Sequence, residues 1–226
     1  MIPITLNSLL SIIHGKVKNE SFNDVKTLYN FSIDTRTLKK RDIYIAIVGE
    51  RFDGNDFIEE AFKKGASWVI SSKSNYNNDR IIQVDNTNIA LQNIAAFLIK
   101  TLNPKIIAIT GSNGKTTTKE LTGKILKNYY TNKHVLVTYG NFNNDIGMPL
   151  TILGLTKQHK YILLEMGMNH AGEIEKLCKI ASPDIAVITN IGEAHIENFK
   201  SRKHLAEAKK EILKGAKNKF IAILPG

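Results

Sequence analysis

The chain reads as α/β, in two successive units, the second built on a mostly parallel sheet. Three observations carry this. Short, continuous apolar runs rich in Ile and Val alternate with helical patterns; a strand, a glycine loop and a helix follow in order between Ile106 and Tyr129; and polar and glycine residues gather at the carboxyl ends of the runs. A run that is apolar throughout must be covered on both faces, which is the condition of a parallel sheet flanked by helices.

The first unit extends over 1–103. Strands are expected near Phe31–Ile33, Ile43–Ile47, Trp68–Ile70 and Ile81–Val84, with helices over Leu6–Ile13, Asp56–Lys64 and Asn88–Leu102. Asn103-Pro104 stops the last helix, and Ser74–Asp79 is a polar loop. The second unit, 104–226, alternates strands Ile106–Thr110, Val135–Thr138, Tyr161–Met166, Asp184–Thr189 and Phe220–Leu224 with helices that include Thr116–Tyr129 and Glu173–Ile180. In such a sheet, ligands gather beyond the carboxyl ends of the strands. The loops after Ile109, Val137, Leu164 and Ile188 therefore share one edge.

The loop after Ile109 is Thr110-Gly111-Ser112-Asn113-Gly114-Lys115-Thr116-Thr117. Glycines allow a tight curl, and backbone N–H groups at a helix start attract an anion. Lys115 would reach the β- and γ-phosphates of a nucleotide, and the Thr116 hydroxyl would bind Mg2+. The general phosphate-loop pattern has a glycine where this chain has Ile109, so the match is to a variant. Glu165 follows a buried run and is placed to hold Mg2+ or to orient water. His195 ends another run and could serve a second metal or a phosphate. Asn141, Asn143 and Asn144 offer amide groups suited to a sugar or acetamido group, while Asp145 is a candidate cap for a helix beginning near Ile146.

Net charge is +10, yet the 18 Lys and Arg residues of 101–226, where most of the excess lies, are scattered along helices, with no basic stripe interleaved with aromatics, which argues against nucleic acid. The single cysteine, Cys178, reads as a packing residue, and no run is long and apolar enough for a membrane span. The expectation is a cytoplasmic protein with no signal peptide at its start.

These motifs resemble the ATP-dependent Mur ligases of peptidoglycan synthesis. The resemblance rests on the variant phosphate loop, on Gly140-Asn141-Phe142-Asn143-Asn144-Asp145-Ile146-Gly147-Met148-Pro149-Leu150-Thr151, and on Glu165-Met166-Gly167-Met168-Asn169-His170-Ala171-Gly172. Asn190-Ile191-Gly192-Glu193-Ala194-His195 extends it, as do Asp34-Thr35-Arg36 and Gly49–Phe57 in the first unit. It implies an amino-terminal domain for the UDP precursor over 1–103 and an incomplete P-loop ATPase domain over 104–226. It also implies two Mg2+ ions. Gly111, Ser112, Asn113, Gly114, Lys115, Thr116 and Thr117 would hold ATP. Thr116 and Glu165 would ligate one Mg2+, and His195 would serve the second beside Lys209, which falls where the family carries a carbamylated lysine. Residue chemistry alone would read Lys209 as a solvated helix lysine. Asp34, Thr35, Arg36, Asp53 and Gly54 would lie at the uridine diphosphate end, and Asn141, Asn143 and Asn144 near the muramoyl group. Lys115, His195 and Lys209 are the implied catalytic residues. Within the family, the likeness is to members that join D-alanyl-D-alanine to UDP-N-acetylmuramoyl-peptide through an acyl phosphate, with a monomer expected.

The family has a third domain that these residues lack, so the chain is expected to be an amino-terminal portion that binds precursor without ligating it. The alternative is a non-catalytic nucleotide or UDP-sugar binding module.

Overall fold

The computed structural model describes residues 4–19, 30–49, 52–73, 78–192, 194 and 196–225. The chain divides into two compact units, Met1–Phe97 and Leu98–Gly226. The division falls inside a long helix, not at the Asn103-Pro104 break.

The first unit opens with α1 (Leu6–Ile13), started by Thr5, whose hydroxyl accepts the Ser8 N–H at 3.1 Å. Its five-stranded sheet has the order β1-β5-β4-β3-β2, with β1 at Lys16–Val17, β2 at Phe31–Ser32, β3 at Ile43–Ile45, β4 at Trp68–Ser71 and β5 at Ile81–Gln83. Only β1 is antiparallel, and it is absent from the sequence expectation because two residues between turns carry no period. The helix expected over Asp56–Lys64 is a short 3-10 turn, Gly54–Phe57, followed by α2 (Ile58–Lys63). Leu38, Tyr44, Ala46, Ile58, Ala61, Ala66, Val69 and Ile81 form a shared core. Helix α3 (Thr87–Leu102) closes the unit and continues past the division.

The second unit holds five parallel strands in the order β10-β9-β6-β8-β7. These are β6 (Lys105–Thr110), β7 (Val135–Val137), β8 (Tyr161–Glu165), β9 (Ile185–Ile188) and β10 (Ile221–Ile223). Helices α4 (Lys115–Tyr130), α5 (Gly147–Leu153), α6 (Glu173–Ile180) and α7 (Arg202–Lys214) connect them. Strand β6 is central, with β8 and β9 on either side, so its carboxyl end is the point where the strand order reverses and a crevice opens. Ile107, Ile109, Val135, Leu163 and Val187 pack on one face, with Leu126 and Tyr130 of α4 over them.

Helix α4 is turned in an unexpected way. Beside the inward Leu126 and Tyr130, three of its large apolar residues, Leu121, Ile125 and Tyr129, are exposed, while Lys119 and Gly123 are buried. A Cβ at Gly123 would stand 3.1 Å from Val137 Cγ2, so glycine lets the helix settle closely on β7.

Candidate active site

The crevice at the end of β6 is built by three loops. Gly111 follows the strand with φ of +152°, and a Cβ there would fall 1.9 Å from Thr189 Oγ1. Only glycine fits that approach. The loop is braced from the β9 side: the Thr189 hydroxyl donates to the Asn113 carbonyl at 2.6 Å, and Asn190 Oδ1 accepts the Asn113 N–H at 2.9 Å. Gly192 N donates to Ser112 Oγ at 3.0 Å. Gly114, at φ +77°, begins α4, and Thr116 and Thr117 lie exposed on its first turn. The Lys115 ammonium folds back onto its own loop, donating to the carbonyls of Gly111 (2.6 Å) and Ser112 (3.3 Å). Burial pulls it below the ordinary lysine range, opposed by the Glu165 carboxylate nearby.

Glu165 ends β8 and is 1% exposed. Its N–H is held by Thr138 Oγ1 at 3.1 Å, and its Oε1 accepts Asn143 Nδ2 at 2.9 Å. Its Oε2 is buried without a hydrogen-bond partner among the described residues. The Lys119 ammonium, 3.7 Å away, offers charge but is too distant for a hydrogen bond. Buried carboxylate oxygens rarely stay unpaired, and this one stands beside a phosphate-type loop.

The Asn loop leaves β7 at Gly140. Asn143 N donates to the Asn141 carbonyl at 2.7 Å, and the Asn143 carbonyl accepts Gly167 N at 2.8 Å, which fixes its side chain toward Glu165. The oxygen that receives the first amides of α5 belongs to Asn144, with Gly147 N at 2.8 Å and Ile146 N at 3.3 Å. The Asx turn that leads into α5 thus comes from Asn144, the residue before the candidate cap Asp145.

Lys209 lies on the inner face of α7, 1% exposed, and burial followed by the charge of Lys115 brings its amine down to about 8. Helix α7 begins at Ser201, and Arg202 clamps it to the Ile191 carbonyl at 2.6 Å. His195 lies outside the described residues. The structure thus brings together the phosphate loop, Glu165, Asn143 and Lys209.

The first-unit residues form a separate group. Asp34 accepts Arg36 Nη2 at 2.6 Å, and that guanidinium holds the Asp34 carboxyl below its usual range. Thr35 is buried and offers its carbonyl to Lys64 Nζ at 2.9 Å. Asp53 accepts Asn55 N at 2.9 Å and pairs with Lys73 at 2.8 Å. A Cβ on Gly54 would meet the Ile47 carbonyl oxygen at 2.6 Å. Tyr44 donates to the Gly54 carbonyl at 3.0 Å, and its hydroxyl, raised to about 12 by burial first, also senses Asp34 and Asp53.

Thr189, Asn190 and Lys119 are the contributors that sequence reasoning missed. Lys119 is one helical turn beyond Lys115 and shares its face, a spacing that could have exposed it.

Residues 109–226 match the Mur ligase middle domain, and residues 27–105 match the Mur ligase family, catalytic domain. The chain belongs to the Mur ligase family. A UDP-N-acetylmuramoyl-tripeptide--D-alanyl-D-alanine ligase of Bacillus subtilis is 41% identical over 100% of this Mur ligase chain and 49% of its own length. A crystal structure of MurF from Acinetobacter baumannii is similar at TM-score 0.89 and 34% identity, covering 99% of this chain and 49% of that one. MurF ligase from Thermotoga maritima in complex with ADP aligns at TM-score 0.80 and 39% identity, covering 87% of this chain and 45% of that one. The Mur ligase chain spans about half the length of the curated relatives it matches. No helix among its described residues is long and apolar enough to cross a membrane.

Proposed function

We infer that this chain is the precursor- and nucleotide-binding part of a cytoplasmic, monomeric, ATP-dependent ligase that joins D-alanyl-D-alanine to UDP-N-acetylmuramoyl-tripeptide. The observation that carries the reading is Glu165 Oε2, a buried carboxylate oxygen without a hydrogen-bond partner among the described residues, beside a phosphate-type loop. The likeness, over nearly all of this chain and about half of each relative, to proteins bearing that activity in their names supports the choice of substrates.

In this reading the amides of Gly111–Thr117 receive the ATP phosphates, and Lys115 leaves the Gly111 and Ser112 carbonyls to neutralise the γ-phosphate. The donor set fits Mg2+, which takes hard oxygen ligands and keeps several waters: Glu165 Oε2 and the Thr116 hydroxyl would hold it. When bound, the ion supplies charge neutralisation to two anions that must approach each other, the peptide carboxylate and the γ-phosphate. The carboxylate oxygen then bonds to phosphorus as ADP leaves, and the dipeptide amine displaces phosphate from the acyl phosphate. Lys209, buried and with its amine lowered to about 8, holds a larger share of the neutral form that carbamylation by CO2 requires than an ordinary lysine does, and with His195 it would serve a second ion. Asp34–Arg36 and the Asp53–Gly54 turn would shape the uridine diphosphate end, and the Asn141, Asn143 and Asn144 loop the muramoyl end.

Calorimetry of the folded chain with Mg–ADP and, separately, with the UDP-linked tripeptide tests this. Binding of both is expected. A chain that melts cooperatively yet binds neither would overturn the reading.

A further inference from the structure

Lys119 has no part in the chemistry above, yet its side chain has 0% exposure. An ammonium taken out of water must be repaid in hydrogen bonds and opposite charge. Lys119 Nζ donates to the Gly140 carbonyl at 2.9 Å, stands 3.1 Å from Glu120 Oε1 and lies 3.7 Å from Glu165 Oε2. Gly140, at φ +51°, is where the Asn loop leaves β7, and the same loop returns to Glu165 through Asn143 Nδ2. A closed circuit results. It runs from the Lys119 ammonium to the Gly140 carbonyl, along the loop to Asn143, across to Glu165 Oε1, and from Oε2 back to Lys119.

We propose that Lys119 is a positioning residue that sets the orientation of the Glu165 carboxylate and the start of the Asn loop from one buried ammonium, so that the carboxylate and the substrate loop act as one unit. This rests on the nucleotide-site reading of Glu165. Two effects of removing the charge oppose each other. Loss of a neighbouring cation by itself strengthens divalent-ion binding, whereas loss of orientation weakens it. The circuit makes orientation the larger effect, because without Lys119 the carboxylate keeps only the Asn143 amide against rotation about Cγ–Cδ, and the loop loses its tie at Gly140 while the Asn143–Gly167 backbone bond still holds its far side.

The test compares wild type, Lys119→Met and Lys119→Arg in ADP titrations with EDTA and with saturating Mg2+, alongside amide hydrogen exchange over 140–147. Lys119→Met should leave ADP affinity in EDTA within about twofold, lower the Mg2+-supported affinity about tenfold, as loss of a partner to a metal ligand does, and speed exchange over 140–147. Lys119→Arg, which keeps the charge and donors, should recover most of both. Unchanged or higher Mg2+-supported affinity, with unchanged exchange in a native-melting Lys119→Met, would overturn the proposal. Should that variant fail to fold, Lys119→Met/Glu165→Gln removes the stranded charge with it, and wild-type protection of 140–147 in the double variant would equally overturn it. If wild type binds no ADP, the nucleotide reading fails, while the exchange comparison still decides whether Lys119 holds the loop.

Discussion

Lys115 and Lys209 illustrate how burial changes what a lysine does. Lys115 is held by two loop carbonyls at 2.6 and 3.3 Å, folded onto the loop it would leave to meet a phosphate. Lys115→Ala is expected to weaken Mg–ADP binding at least about tenfold and, in the full ligase, to lower kcat by roughly 10²–10³, as loss of one preorganised electrostatic contact does. Calorimetry and phosphate-release kinetics check the two. Lys209 gives a prediction in pH. Its amine is at about 8 when folded against an ordinary 10.5, so the unfolded chain binds more protons between those values and stability rises with pH through that window. Below pH 8 the burial penalty is fully present. In EDTA and CO2-free buffer, Lys209→Met should therefore be more stable than wild type at pH 7 by about 1–3 kcal/mol, at 1.36 kcal/mol per unit. The gain should shrink toward pH 10. A difference that is flat with pH in paired melts would contradict the depressed amine. Lys115 is legible in the sequence because glycine, glycine and Lys-Thr fall at fixed offsets after an apolar strand. Lys119 is not, because a lysine on a surface helix reads as solvated, and only the facing of α4 in three dimensions reverses that.

Among the elements, the strands of the second unit were the most legible, since each is a continuous apolar run bounded by polar loops, and the parallel order follows from their alternation with helices. The braces were not. The run Thr189-Asn190-Ile191-Gly192 was legible as an edge loop but not as a brace for the loop after β6, because the contact spans nearly eighty residues of chain and the sheet order alone brings β9 directly beside β6. Removing that brace should show. Thr189→Val deletes the hydroxyl donated to the Asn113 carbonyl while keeping the side-chain volume. It should cost about 1 kcal/mol of stability and weaken Mg–ADP several-fold, read by urea denaturation and calorimetry. Gly111→Ala should be more damaging to ADP binding, since its Cβ would overlap the same hydroxyl.

For the whole molecule, the proposed function assigns a ligand to each of the two compact units. A ligand stabilises what it binds by an amount set by its concentration over its Kd, roughly 2.7 kcal/mol at a hundredfold excess. With Mg–ADP, slowed hydrogen exchange should concentrate in 105–215. With UDP-linked tripeptide, it should also reach 30–73. Equal protection of both units by Mg–ADP alone would contradict the assignment of the nucleotide to the second.

The mixed facing of helix α4 has a consequence for how this chain tolerates change. Leucine, isoleucine and tyrosine at 121, 125 and 129 face water, while a lysine and a glycine at 119 and 123 face the sheet. Random mutation and selection for folded protein should therefore return Glu, Gln and Lys freely at the three oily positions and almost nothing at the charged one. A substitution table built on ordinary helices, which guards leucines and lets lysines drift, would misrank these positions while ranking Leu126 and Tyr130, which pack over the sheet, correctly.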